Sequence, residues 1–160
     1  MEILVSENRQ TEFRGVPPFL FDLLKDIAPA GASTDPRAES RLFPPPVRHG
    51  DDAGILEDWN AFVQPGLQQE FQAARDVVQA DVRRASHDGS TWALEIPFQH
   101  AEAWLNALNQ ARLAIAEEHG FGDGELMADL PSVIEGPRDR ALFQMHFYGM
   151  IQEWFVKFLD

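Results

Sequence analysis

The stretch 97–119, PFQHAEAWLNALNQARLAIAEEH, limits the fold more than any other part of the chain. Ala101, Trp104, Leu105, Leu108, Ala111 and Ile115 recur at spacings of three and four, the repeat of a helix with one apolar face. Such a face cannot stay in water, so other elements must cover it. Pro97 suits the start, where a missing N–H costs nothing. Arg112 falls on the same face, one turn after Leu108. It must be paired across a helix contact or sit at the edge with its stem packed.

The covering elements follow in chain order. Residues 2–6 and 11–16 have strand composition and flank Asn8-Arg9-Gln10, which can turn the chain into a hairpin. Residues 91–96 alternate and add a third strand. Helices are predicted over about 17–28, 52–63, 66–87, 98–119 and 137–159. Asp51 or Asp52 caps the second, and Pro65-Gly66 separates it from the third. A long irregular segment, 29–51, is rich in proline and glycine, with Leu42 and Phe43 expected to pin it to the body. The strings 14–24 and 94–105 share a strand–proline–phenylalanine–helix layout. In the last helix Leu142, Phe143, Phe147, Met150, Ile151, Trp154, Phe155, Phe158 and Leu159 cover more than one face. That marks a central helix, or one that lends a face to a partner. The expected architecture is mainly α (α+β): about five helices around a central C-terminal helix, with a small two- or three-stranded antiparallel sheet. A chain of 160 residues suits a single domain, 1–160.

Charge and composition narrow the function. Formal net charge is −13, which opposes direct contact with nucleic acid or an anionic membrane and favours basic partners. Cysteine is absent, so disulfides, thiolate catalysis and Cys-ligated metals are excluded. The opening MEILVSENRQ lacks the form of a signal peptide, and no apolar run has the length of a membrane span. A cytoplasmic location is expected.

Candidate chemistry is sparse. His100 with Glu102, and His119 with Asp123 and Glu125, match no ligand spacing and read as solvated surface. No metal or cofactor is expected. GFGDG at 120–124 follows a helix, where a phosphate loop would follow a strand, so it reads as a helix-ending turn. No serine stands in a nucleophile-elbow context, and no catalytic residue is assigned. Asn109 and Arg112 on one helix, with Gln152 and Glu153 on another, form a polar cluster expected to fix the register of the two, through contact of Arg112 with Glu153 or another carboxylate.

The residues also carry a resemblance. Trp104-Leu105-x-Ala107-Leu108-Asn109-x-x-Arg112-Leu113-Ala114 is similar to the hallmark helix of a bacterial family, domain of unknown function two-thousand-seventeen, of actinobacterial type. Arg41-Leu42-Phe43-Pro44 resembles the family's R-L-L-P loop. Asp51-Asp52 with Glu57 and Phe62, and the pair Gln152-Glu153, resemble its acidic helix start and its Q-E pair. The resemblance implies a small, acidic, mainly helical cytoplasmic protein, often encoded beside the Clp protease adaptor, with some members described as regulators of transcription under oxidative stress. Redox control rests on cysteines in that family, and this chain has none. Pro97 stands where the family has a capping aspartate.

Two readings follow. One is a non-catalytic protein-interaction or regulatory domain that binds a protein partner or itself, through a loop bearing Arg41, Leu42 and Phe43 or through the last helix. The other is a small-molecule-binding or hydrolytic domain with a pocket lined by Arg112, His146 and Glu153.

Overall fold

The computed structural model describes residues 1–44, 46 and 53–160. The Asp51 or Asp52 cap and part of the loop at 40–49 lie outside the described residues. The fold is mainly α with a small antiparallel sheet.

β1 (Glu2–Val5) and β2 (Thr11–Val16) form the hairpin. Gly15, at φ +61°, shifts the register between Phe13 and Val16, and both of those side chains are fully buried. α1 (Pro18–Lys25) follows Pro17, and α2 (Ile27–Gly31) follows at once. The division falls at Asp26 because Pro29 has no N–H for the Lys25 carbonyl, and its ring crowds that oxygen. The segment expected as loop from 29 to 51 is partly helical: α3 spans Pro36–Leu42. Asp35 caps it, its Oδ1 accepting the Arg37 N–H at 2.9 Å, and Pro36 takes the first turn.

α4 (Ala53–Asp58) leads into a π-helical turn, Trp59–Val63, and then into α5 (Gln64–Arg83). The irregularity expected at Pro65-Gly66 is therefore absorbed one turn earlier. A proline at 65 cannot donate to the Ala61 carbonyl, and the widened turn, in which the Gln64 N–H reaches Trp59, accommodates it. The expected helix 66–87 ends sooner, at Arg83, and β3 (Ser86–His87) adds a fourth strand against β4 (Trp92–Ile96). The sheet order is β1-β2-β4-β3.

Pro97 and a 3-10 turn, Phe98–His100, start α6 (Ala101–His119). Gly120, at φ +62°, ends it: the Phe121 N–H bonds the Ala116 carbonyl and the Gly120 N–H bonds Glu117. α7 (Asp123–Met127) is short, and α8 (Pro137–Leu159) closes the chain. α8 contributes Phe147, Tyr148, Ile151 and Phe155 to the core, while α6 is the element packed against α2, α3, α5 and α8 together. Ala101, Ala107, Ala111 and Ala114 on α6 are fully buried, and small side chains at those positions let the neighbours come close. Tyr148 ties α8 to α1: its hydroxyl donates to the Leu23 carbonyl at 2.5 Å and accepts from Gln144 Nε2 at 2.7 Å.

At Gly31, α2 meets α5 and α6 most closely. A Cβ there would lie 3.1 Å from Gln110 Cβ and 3.3 Å from Arg75 Cδ. Gly31→Ala should cost about 1–3 kcal/mol through overpacking, lowering Tm by several degrees in a thermal melt. An unchanged Tm would mean that α2 sits less tightly than drawn. A second expectation concerns the turn between β3 and β4. Asp88 accepts the N–H groups of Thr91 at 2.8 Å and Ser90 at 2.9 Å, which hold its carboxyl at about 2, below the ordinary 3.8. A depressed folded value means that the turn's contribution is complete above about pH 4 and is lost as pH falls toward 2. Protection of the Ser90 and Thr91 amides, taken relative to the intrinsic exchange rate at each pH, should fall across that window while the α6 amides stay protected.

Candidate functional site

Besides the Tyr148 tie, three polar clusters bridge α6 to a neighbour. The first centres on Asp81, a carboxylate of α5 with no exposed surface. On the helical repeat it is three residues from Val78, on the apolar face. Its Oδ2 accepts Trp104 Nε1–H at 2.8 Å, and both oxygens lie 2.9–3.0 Å from His100 Nδ1. Arg84 completes the set with an ion pair to Oδ1. A carboxylate can only accept, so His100 carries its proton on Nδ1. His100 is thus part of a lock between α5 and the start of α6, where the sequence reading placed it among solvated surface groups. Glu102 remains exposed.

An aspartate orienting a histidine is also the geometry of a hydrolase dyad. The nearest large cavity, about 560 Å³ on the outer face of the sheet, is lined by Glu12, Arg14, Arg84, Ser86 and Glu95 among others, and His100 is not on its wall. Ser86 Oγ is turned toward the Ala93 carbonyl at 3.5 Å. The Asp81 cluster is therefore complete in itself and supplies structure.

The second cluster centres on Gln110, buried on α6. Its Oε1 accepts Arg75 Nη1 at 2.7 Å, and its Nε2 donates to the Phe71 carbonyl at 3.1 Å and Asn106 Oδ1 at 2.8 Å. Asn109, expected in the polar cluster, is one residue away and therefore about 100° around the helix, and it is exposed.

The third cluster holds Arg112. Its Nη1 donates to Gln152 Oε1 on α8 at 2.7 Å. The expected carboxylate contact is not formed: Glu153, one position further round α8, is exposed and bonds Lys157 at 2.8 Å. No carboxylate pairs with Arg112 among the described residues. The guanidinium lies against Gly149, where a Cβ would sit 3.4 Å from Cζ and Nη2. Burial draws the guanidinium below arginine's usual value, and a guanidinium stays charged through such shifts. Arg112, Leu126, Met145, His146 and Gly149 line a cavity of about 300 Å³. Two of the three groups expected in a pocket, Arg112 and His146, meet there, and Glu153 does not. Arg112 Nε and His146 Nε2 are both buried without a hydrogen-bond partner. Each unmade bond of this kind costs about 1–3 kcal/mol, so two at one cavity need an explanation.

The segment expected as an interaction loop faces inward. Leu42 is buried and the Phe43 ring packs on Phe71 with centroids 5.1 Å apart, while Arg41 is exposed with Nε 3.9 Å from Glu117. His119 stacks on Phe121, and Glu125 pairs with Arg138 at 2.6 Å.

Asp81, Gln110 and Gly149 escaped the sequence reading, though each left a trace. The first two stand at helical spacing from buried alanine and valine, and Gly149 is the sole glycine in a helix of bulky side chains. Asp81→Ala should cost about 3–5 kcal/mol, because it leaves the buried Trp104 N–H unpaired and takes their shared partner from His100 and Arg84. Calorimetry should show Tm falling by on the order of 10 °C. A fall within experimental error would deny the cluster its structural role.

No helix among the described residues is long and apolar enough to cross a membrane. No curated protein and no solved structure matches the chain. A family model does match, over residues 3–159, and by that match the chain belongs to the family described as domain of unknown function (DUF2017).

Proposed function

We propose that the chain is a non-catalytic interaction domain of regulatory type, and that it receives a basic protein partner on the surface of α4 and the π-helical turn. The observation that carries this reading is Phe62, a phenylalanine left 79% exposed. It borders a groove of about 410 Å³ with Pro46, Ile55, Asp58, Trp59 and Val63. An aromatic side chain held in water beside further apolar surface is a liability unless something covers it.

Two further facts support the reading. π turns persist where they re-aim side chains for a purpose, and here the turn carries Trp59, Phe62 and Val63. The groove also has an acidic edge, with Glu57 and Asp58 exposed, on a chain of net charge −13. Two copies meeting there would bring like charge to like charge. A partner that ringed its apolar contact with Lys or Arg would be drawn in.

The reading moves the contact surface away from Arg41, Leu42 and Phe43, since the latter two are packed against the body. Phe62→Ser combined with Val63→Ser should abolish recovery of basic partners in a pull-down, and Arg41→Ala should retain them. Raising the salt should weaken recovery by the unaltered chain. Identical partner sets from all three baits would sink the assignment. A dimer by light scattering that the double substitution turns into a monomer would replace the basic partner with a second copy.

A further inference from the structure

The Arg112 guanidinium meets its cavity with N–H groups that lack an acceptor, and their arrangement identifies what fits. Nη1 is committed to Gln152 at 2.7 Å. What remains is Nε and Nη2, the two N–H groups along one side of the guanidinium plane. Nε is buried and unpartnered, and Nη2 has no partner among the described residues. Two parallel N–H groups on one edge match the two coplanar oxygens of a carboxylate. His146, whose Nε2 is also buried and unpartnered, lines the same cavity from α8. Gly149 keeps the floor flat, since a Cβ there would touch Cζ and Nη2 at 3.4 Å. The remaining wall is apolar, from Leu126 and Met145.

We propose that this cavity binds a small organic carboxylate, its carboxyl on Nε and Nη2 of Arg112 and its short carbon tail against Leu126 and Met145. His146 supplies the third polar contact. A volume of about 300 Å³ admits an acid of a few carbons and excludes a nucleotide. Inorganic phosphate fits less well. It carries more acceptor oxygens than the site has donors, and the apolar wall offers it nothing. A dianion is also disfavoured inside a chain of net charge −13. The site is independent of the groove at Phe62, on other elements.

The test is a titration of the isotope-labelled chain with sodium butyrate and sodium benzoate, following the Arg112 Nε–H and Gly149 amide resonances. Sodium phosphate, sulfate and chloride serve as arms at matched ionic strength. Saturable shifts confined to residues around the cavity are expected with the carboxylates, with Kd on the order of 1 mM for so small a ligand. Arg112→Lys keeps the charge and removes the fork, and should weaken Kd about tenfold. Gln152→Glu places a carboxylate on Nη1, neutralises the site and should weaken it similarly without removing a donor. It reports on the site even if Arg112→Lys does not fold. Absence of saturable carboxylate shifts, tighter binding of phosphate or sulfate, or undiminished binding by the folded variants would each overturn the proposal.

Discussion

The helical layer is organised around α6. A helix with four neighbours can be enclosed only if its surface is small where they cross, and the buried alanines at 101, 107, 111 and 114 provide that. Close approach alone does not choose a register, because alanine faces slide. The choice comes from polar ties at successive levels: Trp104 to Asp81 near the start, Gln110 to Arg75 and the Phe71 carbonyl in the middle, Arg112 to Gln152 beyond. Each bond would be broken by a shift of one residue, and each broken bond would leave a buried polar group unpaired. Tyr148 does the same for α8 against α1, and burial raises its phenol far above the ordinary value, so the hydroxyl keeps the proton it donates to Leu23.

The three ties differ in how fully they use their atoms. Asp81 accepts from a tryptophan, a histidine and an arginine, and Gln110 uses both ends of its amide. No buried polar atom of Asp81, Trp104 or Gln110 is left without a partner, whatever the individual side chains would suggest. Arg112 spends one nitrogen on Gln152 and holds the rest against a cavity. Residue type therefore misleads here: the Asp–His pair that looks like chemistry is a closed lock, and the arginine that looks like a register bond is half open.

Much of this architecture is written in the helical repeat. Trp104, Leu108 and Ile115 announce α6, and Pro97 its beginning, because spacing and a missing N–H are local properties. Two regions are harder to read, for the same reason. Pro29, Pro36 and Pro65 each signal a break when considered one at a time. In the folded chain Pro36 starts α3 with Asp35 as its cap, and Pro65 is absorbed by a π turn. A proline's meaning depends on whether the residues before it can supply caps or spare a hydrogen bond, and that is decided by packing. The Arg112–Glu153 pairing fails on a finer point. Neighbouring residues on a helix differ by about 100° in direction, and only the seating of α8 on α6 determines that Gln152, not Glu153, faces inward.

The wall of the Arg112 cavity is unequal in stiffness. Arg112, Met145, His146 and Gly149 stand on α6 and α8, long core helices where any movement would disturb buried contacts. Leu126 stands on α7, a five-residue helix held by Arg138 of α8. Arg138 bonds Glu125 and the His119 carbonyl and lies over the Phe121 ring at 4.6 Å, and Glu125 is pulled below its ordinary value chiefly by that hydrogen bond. These contacts are exposed, and exposed ion pairs add little to stability. Gly120 fixes where α6 ends, and beyond it Phe121 and Leu126 rest against the core as partly buried side chains. The side of the cavity with the weaker ties is therefore α7, while the donors stand on α6 and α8. A site built in this way keeps its recognition geometry constant and lets only its apolar cover adjust, which suits acids that share a carboxyl group and differ in their tails.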